Sequence, residues 1–247
     1  MRCDDGLFLQ CEQSMCGRFT FRTPEDVILA AFDAVAGRHY QQAIRYNLAP
    51  TQLAPVIRSH DGRRELTSMK WGLIPSWSKD GKMIPGTINA RGDTLAEKPS
   101  FRTAYKKRRC LIIADGYYEW RTEGKKKLPF IYELDGGKPI AFAGLFEQWW
   151  GKGEDKRPDD DPLQSCTIVT TDANKLASEI HDRMPVILDP SDYDEWLDPT
   201  QQDTTAVAHL LKSYEGDALT VRGQSLREQR AERRAGMCGA QLGIGQM

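Results

Sequence analysis

The chain has 247 residues, with 34 lysines and arginines against 35 aspartates and glutamates. This length allows one large domain or two small ones, and the charge balance excludes an anionic partner held by bulk charge, so such a partner needs a local patch. No run of about 18 apolar residues occurs, which excludes a membrane-spanning helix.

From the amino terminus, "MRCDDGLFLQCEQS" carries acids where a secretory leader carries positive charge, so a cytoplasmic protein is expected. "CGRFTF" reads as a strand. "TPEDVILAAFDAV" opens with Thr23 as N-cap and Pro24 at the first helical position, and sets Val27, Ile28, Ala31, Phe32 and Val35 on one face. That pattern predicts a helix.

"APVIRS" and "ELTSMKWG" read as strands joined across "HDGR". A short helix is expected at 100–107. Strands follow in "CLIIADGYYEW", "LPFIYEL", "PIAFAGLFEQW" and "CTIVTT", then helices at 173–180 and from 191 to about 213. Many strands, few helices and no βαβ alternation predict an α+β fold: a curled, mostly antiparallel sheet or open β-barrel-like core with flanking helices.

The charges segregate: 98–109 and 121–127 are basic, 154–162 and 189–199 acidic. The basic run at 98–109 fits either a phosphate track or a solvated helix face. The six cysteines are scattered without a C-x-x-C pair, which predicts no zinc knuckle, and neither a metal nor another cofactor is expected. Cys110 and Cys166 sit in apolar strand-like runs and read as inert buried thiols.

Four stretches carry chemistry: "MCGRF" with Cys16 and Arg18, "TINARGDT" with Asn89 and Arg91, "DGYYEW" with Glu119, and "EIHDRMPVIL" with His181 and Arg183. Between the first two stand "YNLAPTQ" and "KWGLIPSW". In this order, from Met15 to Trp196, they resemble the SRAP family, the SOS-response-associated peptidase-like proteins that attach covalently to abasic sites in single-stranded DNA. The joint occurrence of "NARGDT", "GYYEW" and "IHDRMP" makes the resemblance specific.

The resemblance explains a methionine placed before Cys16 inside the chain. In the family, removal of the initiator methionine leaves cysteine first. Its amine and thiol lie on adjacent carbons, and the two can close a thiazolidine on the aldehyde of a ring-opened deoxyribose. With reference pKa values of about 8 and about 8.5, both nucleophiles are available near neutrality. An internal cysteine offers only an amide nitrogen. Translation from Met15, or self-cleavage of the leader, would expose the amine.

The resemblance implies roles for the other residues. Glu119, flanked by Tyr118 and Trp120, is expected to be desolvated and to move protons. His181 would polarise the sugar ring oxygen or the imine, and Asn89 would hold the amine. Arg18, Arg91 and Arg183 each follow a proposed site residue by two positions and would grip flanking phosphates. Trp71, Leu73, Ile74 and Pro75, together with Trp77, would stack on or wedge apart bases, with Pro50 at the pocket floor. Trp71 and Trp77 read equally well as core.

Residues 1–14 are therefore expected to be absent from the working protein, 15–222 to form a single domain, and 223–247 to be a loose basic and glycine-rich tail. Past about residue 215 the family pattern lapses, which raises the expectation of a missing closing strand. The expected partner is single-stranded DNA containing abasic sites, bound by a monomer without membrane contact and associated with the nucleoid when on DNA. The competing reading is a thiol peptidase acting in trans through Cys16, Glu119 and His181.

Overall fold

The computed structural model describes residues 17–151, 153, 156–158 and 161–223. Cys16, the leader and the tail after Gly223 lie outside these described residues.

Among the described residues, thirteen strands form two sheets. In chain order they are β1 (Arg18–Phe21), β2 (Ala34–Ala36), β3 (Arg45–Leu48), β4 (Leu53–His60), β5 (Arg63–Trp71), β6 (Asn89–Arg91) and β7 (Arg109–Ala114). After these come β8 (Gly116–Glu123), β9 (Lys126–Leu134), β10 (Ile140–Trp149), β11 (Leu163–Asp172), β12 (Arg183–Pro185) and β13 (Leu219–Gly223). One sheet has five strands in the order β13-β9-β8-β1-β3. The other has eight, running β12-β11-β10-β7-β4-β5-β2, with β6 alongside β11. The curled antiparallel sheet expected from the sequence is present, and it closes further than expected. β11 also pairs in parallel with β5, at Ser165 with Lys70 and Cys166 with Trp71, so the larger sheet meets itself.

The apolar runs follow from this arrangement. In β7, Leu111 and Ile113 join the core that also takes in Ile28, Phe32 and Trp196 of the helical segments. Cys110, Ile112 and Ala114 point the other way, into a core shared with Phe19, Tyr117 and Tyr132 of the smaller sheet. A strand covered on both faces reads as an unbroken hydrophobic stretch. Cys110 and Cys166 are buried, and burial pushes both thiols well above their ordinary range.

The expected "HDGR" hairpin is present between β4 and β5: Asp61 and Gly62 both take positive φ, 50° and 74°, as a two-residue turn of that hand requires. The run "CLIIADGYYEW" is two strands, not one, and they belong to different sheets. Asp115 makes the break. Its buried carboxylate accepts from the backbone N–H groups of Arg22 and Thr23 and from the Thr23 hydroxyl, with the Arg22 Nε at 3.6 Å. Gly116 follows because a Cβ there would come 2.7 Å from the Tyr132 carbonyl oxygen.

Helices are shorter than the periodicity predicts. α1 (Glu25–Phe32) stops at Asp33, which is left-handed with φ 47°, and Ala34–Ala36 then pairs with β5 as a strand. Of the five residues predicted to face the core, only Ile28 and Phe32 are buried in this helix. Thr23 does not cap it, because its hydroxyl is taken by Asp115. α2 (Arg102–Lys107) lies where expected, but 173–180 holds only a 3-10 turn, Ala177–Glu179. The segment from 191 contains just α3 (Tyr193–Leu197) with 3-10 turns, Pro190–Asp192 before it and Ala208–Leu210 after it.

The closing strand is not missing. β13 pairs antiparallel with β9 from Leu219 opposite Leu134 to Gly223 opposite Phe130, and Leu219 is buried.

Candidate functional site

Gly17, to which Cys16 is bonded, is buried at the entry to β1. Arg18 then pairs with Tyr118 and Phe19 with Tyr117, so the chain enters the smaller sheet beside the Glu119 end of β8. The pleat sends Tyr117 and Glu119 to one face, and Tyr118 and Trp120 to the other. Glu119 is 5% exposed, buried as expected although the flanking Tyr118 and Trp120 lie on the other face. The Tyr118 hydroxyl donates to the Tyr46 carbonyl at 3.1 Å and ties β8 to β3.

Tyr132, across from Tyr117 in β9, shares the Glu119 face. The two tyrosine rings stack at 4.8 Å and 9°. Burial, and then the charges of Glu119 and Glu179, push the Tyr132 phenol above its ordinary pKa. Glu179 lies two residues before His181, so the 3-10 turn carrying it brings the histidine segment toward Glu119.

His181 is partly buried. Its Nδ1 accepts the Arg183 N–H at 3.1 Å and lies 2.8 Å from the exposed Asp182 carboxylate. Those two contacts compete for one nitrogen, since a ring nitrogen that accepts cannot also donate. The backbone contact requires a bare Nδ1, and the carboxylate contact an Nδ1–H.

Asn89 stands in β6 opposite Ile168, and Arg91 opposite Thr170. The preceding Ile88 carbonyl fixes this short strand by accepting from Trp71 Nε1 at 3.0 Å and Thr167 Oγ1 at 2.9 Å. Arg91 and Asp93 form a two-bond pair, Nε to Oδ1 at 3.2 Å and Nη2 to Oδ2 at 2.7 Å. That hydrogen-bonded guanidinium holds the Asp93 carboxyl below its ordinary range, with the Arg183 charge adding to it. Asp172 and Asp182 act on Arg91 in turn, so the Asn89–Arg91 strand, Arg183 and the His181 segment adjoin.

The three arginines differ in presentation. Arg18 donates to the Asn47 side chain at 3.1 Å, and Arg91 is exposed. Arg183 is 6% exposed and donates to the Asp172 carboxylate and, at 2.9 Å, to the Thr170 carbonyl. With its guanidinium turned into the protein, it aligns β12 on β11 and presents no fork to a phosphate. Two arginines of the basic run are spent similarly, while Lys98, Arg102, Lys106 and Lys107 are exposed. Arg109 is buried, donating to carbonyls that include those of Trp196, Tyr105 and Asp198, and Arg108 pairs with Glu147 at 2.6 Å.

Trp71, Leu73 and Ile74 are 0% exposed and Pro75 is buried, so these four serve the core rather than offering a surface to a base. Gly72 turns the chain inward at φ 119°, where a Cβ would lie 2.1 Å from the Met83 sulfur. Trp77 is the tryptophan of this segment that faces solvent, at 52% exposure. Pro50 is half-buried in the turn before β4.

Sequence reasoning missed Tyr132, Glu179, Asp93 and Asp172. Tyr132 was within reach: a tight turn at "EGKK" aligns "GYYEW" with "PFIY" and sets Tyr132 against Tyr117. Glu179 and Asp172 had no such signal, because the groups they act on come from other strands, whereas Asp93 stands two residues from its partner Arg91.

The chain is 41% identical over 208 residues to the abasic site processing protein YoqW of Bacillus subtilis (strain 168), spanning 82% of this chain and 89% of that protein. It is 34% identical to the abasic site processing protein HMCES of Gallus gallus, spanning 70% of this chain and 59% of that one. A crystal structure of a protein from Bacteroides thetaiotaomicron superposes with a TM-score of 0.74 at 27% identity, over 87% of this chain and 94% of the other. The family profile described as SOS response associated peptidase matches residues 15–225, past residue 215 and through β13. The chain therefore belongs to the SRAP family.

Proposed function

We propose that this protein processes abasic sites in DNA by forming a covalent crosslink through an amino-terminal Cys16. The amine adds to the aldehyde carbon of the opened sugar, and loss of water gives an imine. The thiol adds to the imine carbon, its proton passes to the nitrogen, and a thiazolidine closes. The second attack is intramolecular, which gives it a high effective concentration.

Glu119 carries protons during addition and dehydration, His181 donates toward the sugar oxygen, and Asn89 orients the amine. Arg91 and Arg18 attract the flanking phosphates of a single strand, and Trp77 stacks on a neighbouring base. Arg183 and the buried Trp71, Leu73, Ile74 and Pro75 hold these groups in place.

The observation that carries this reading is the entry of the chain at Gly17 and Arg18 beside the strand bearing buried Glu119. The names of the relatives supply the substrate class.

Protein translated from Met15 is incubated with a single strand containing one abasic site and run on a denaturing gel, and its amino terminus is located by mass. A shifted band that survives high salt, from protein beginning at Cys16 and lost in Cys16→Ser, is expected. No band, or an undiminished band from Cys16→Ser, rejects the mechanism.

A further inference from the structure

Tyr132 is 0% exposed, and its hydroxyl has no hydrogen-bond partner among the described residues. A buried hydroxyl left this way is destabilising, and no described residue of the core bonds it. Phenylalanine would fill the same stack against Tyr117 without that cost.

The surroundings of the hydroxyl are specific. Tyr132 lies on the Glu119 face of the hairpin, opposite Tyr117, while Glu119 stands two residues further along β8. Diagonal neighbours on one face remain within reach of a long aromatic side chain. The charged groups acting on Tyr132 are Glu119 from β8 and Glu179 from the 3-10 turn. Tyr117 stacks on the ring, Val221 is its apolar opposite in β13, and Tyr214 packs against the same core.

The geometry points to Tyr132 as a positioning residue whose hydroxyl donates toward the Glu119 carboxylate through one bridging water, and so sets when Glu119 holds its proton. The inference rests on the reading of Glu119 as the proton carrier. A donor on the charged form favours that form, so it keeps the carboxylate ionised to lower pH. The raised phenol pKa keeps Tyr132 itself protonated, and therefore a donor, throughout the working range. Glu179 is exposed, and its charge at the same hydroxyl is screened by water.

The test is Tyr132→Phe in the full chain. Glutamate is labelled at the carboxyl carbon, the Glu119 signal is assigned by its loss in Glu119→Gln, and both proteins are titrated by NMR. The Glu119 midpoint is expected to move to higher pH in Tyr132→Phe; an unmoved midpoint overturns the inference. Thermal unfolding is expected to show Tyr132→Phe folding cooperatively and losing no more than the one water-bridged contact to Glu119. A large loss of stability with an unmoved Glu119 midpoint would mean that the hydroxyl serves the core, and overturns the inference. Crosslinking to an abasic strand at pH 7 should slow about fivefold, the worth of one ordinary hydrogen bond. If the parent forms no crosslink, the proposed function fails, while the titration still decides the role of Tyr132.

Discussion

The imidazole Nδ1 of His181 accepts the backbone N–H of Arg183 at 3.1 Å, which leaves Nε2 as the protonated nitrogen of the neutral ring. The hydrogen-bond donor is the main-chain N–H of Arg183, whose own side chain is anchored in the core, so the ring is oriented from inside the protein. Asp182, at 2.8 Å, is 87% exposed and contributes weakly. His181→Ala is expected to slow crosslinking about 100-fold, whereas Asp182→Ala stays within about twofold. Single-turnover rates with an abasic strand check both, and a large effect of Asp182→Ala would assign the orientation to the carboxylate instead.

The Arg91–Asp93 pair sets a second expectation. Both side chains are about half exposed, so a phosphate can displace the carboxylate at little cost. Asp93→Asn should tighten encounter with single-stranded DNA at low salt. Arg91→Ala should weaken it and reduce the slope of log affinity against log salt by about 1. The Asp93 carboxyl is held below its ordinary range by Arg91. The pairing is therefore fully present above the ordinary carboxylate pKa and fades only as pH falls through the lowered one. Anisotropy titrations in a Cys16→Ala background, which cannot close the ring, give these values.

Trp71 and Trp77 should separate cleanly. Trp71→Ala removes a fully buried ring that donates to the Ile88 carbonyl, and a loss of about 3–5 kcal/mol in denaturant unfolding is expected. Trp77→Ala should leave stability within about 0.5 kcal/mol and weaken DNA binding by about 1–3 kcal/mol. Unchanged binding by Trp77→Ala would remove it from the DNA surface.

Ending the chain at residue 215 strips β9 of its outer partner and the core of Leu219. Leu219→Ala alone should cost about 2–3 kcal/mol, and the truncated chain should unfold at markedly lower denaturant. A truncated chain of full stability would make β13 dispensable.

Strand and turn chemistry was legible where one local rule acted. "HDGR" supplied the positive φ pair of its hairpin, and β7 announced its two covered faces by an unbroken apolar run. The helix from Glu25 was visible, but its end was not: Val35 continues the periodicity while Asp33 turns left-handed and β5 claims the next three residues. Short strands such as β6 and β12 exist because β11 offers them an edge, which no local pattern states. Within the site, residue types pointed to Glu119 and His181. The fate of Arg183 depended on Thr170 and Asp172, brought to it across a sheet. The tryptophans of "KWGLIPSW" were ambiguous in composition and were separated by the inward turn at Gly72.

Asp115 is far in sequence from Arg18, yet it governs the course of the strand that begins there. Its carboxylate grips the backbone just after β1 at Arg22 and Thr23, so the strand is clamped at one end, like a beam in a vice, and points its other end past Glu119. The direction of β1 at Arg18 is thus inherited from a carboxylate at the far end of the strand. Loosening the clamp would let the tip swing without altering any reacting group.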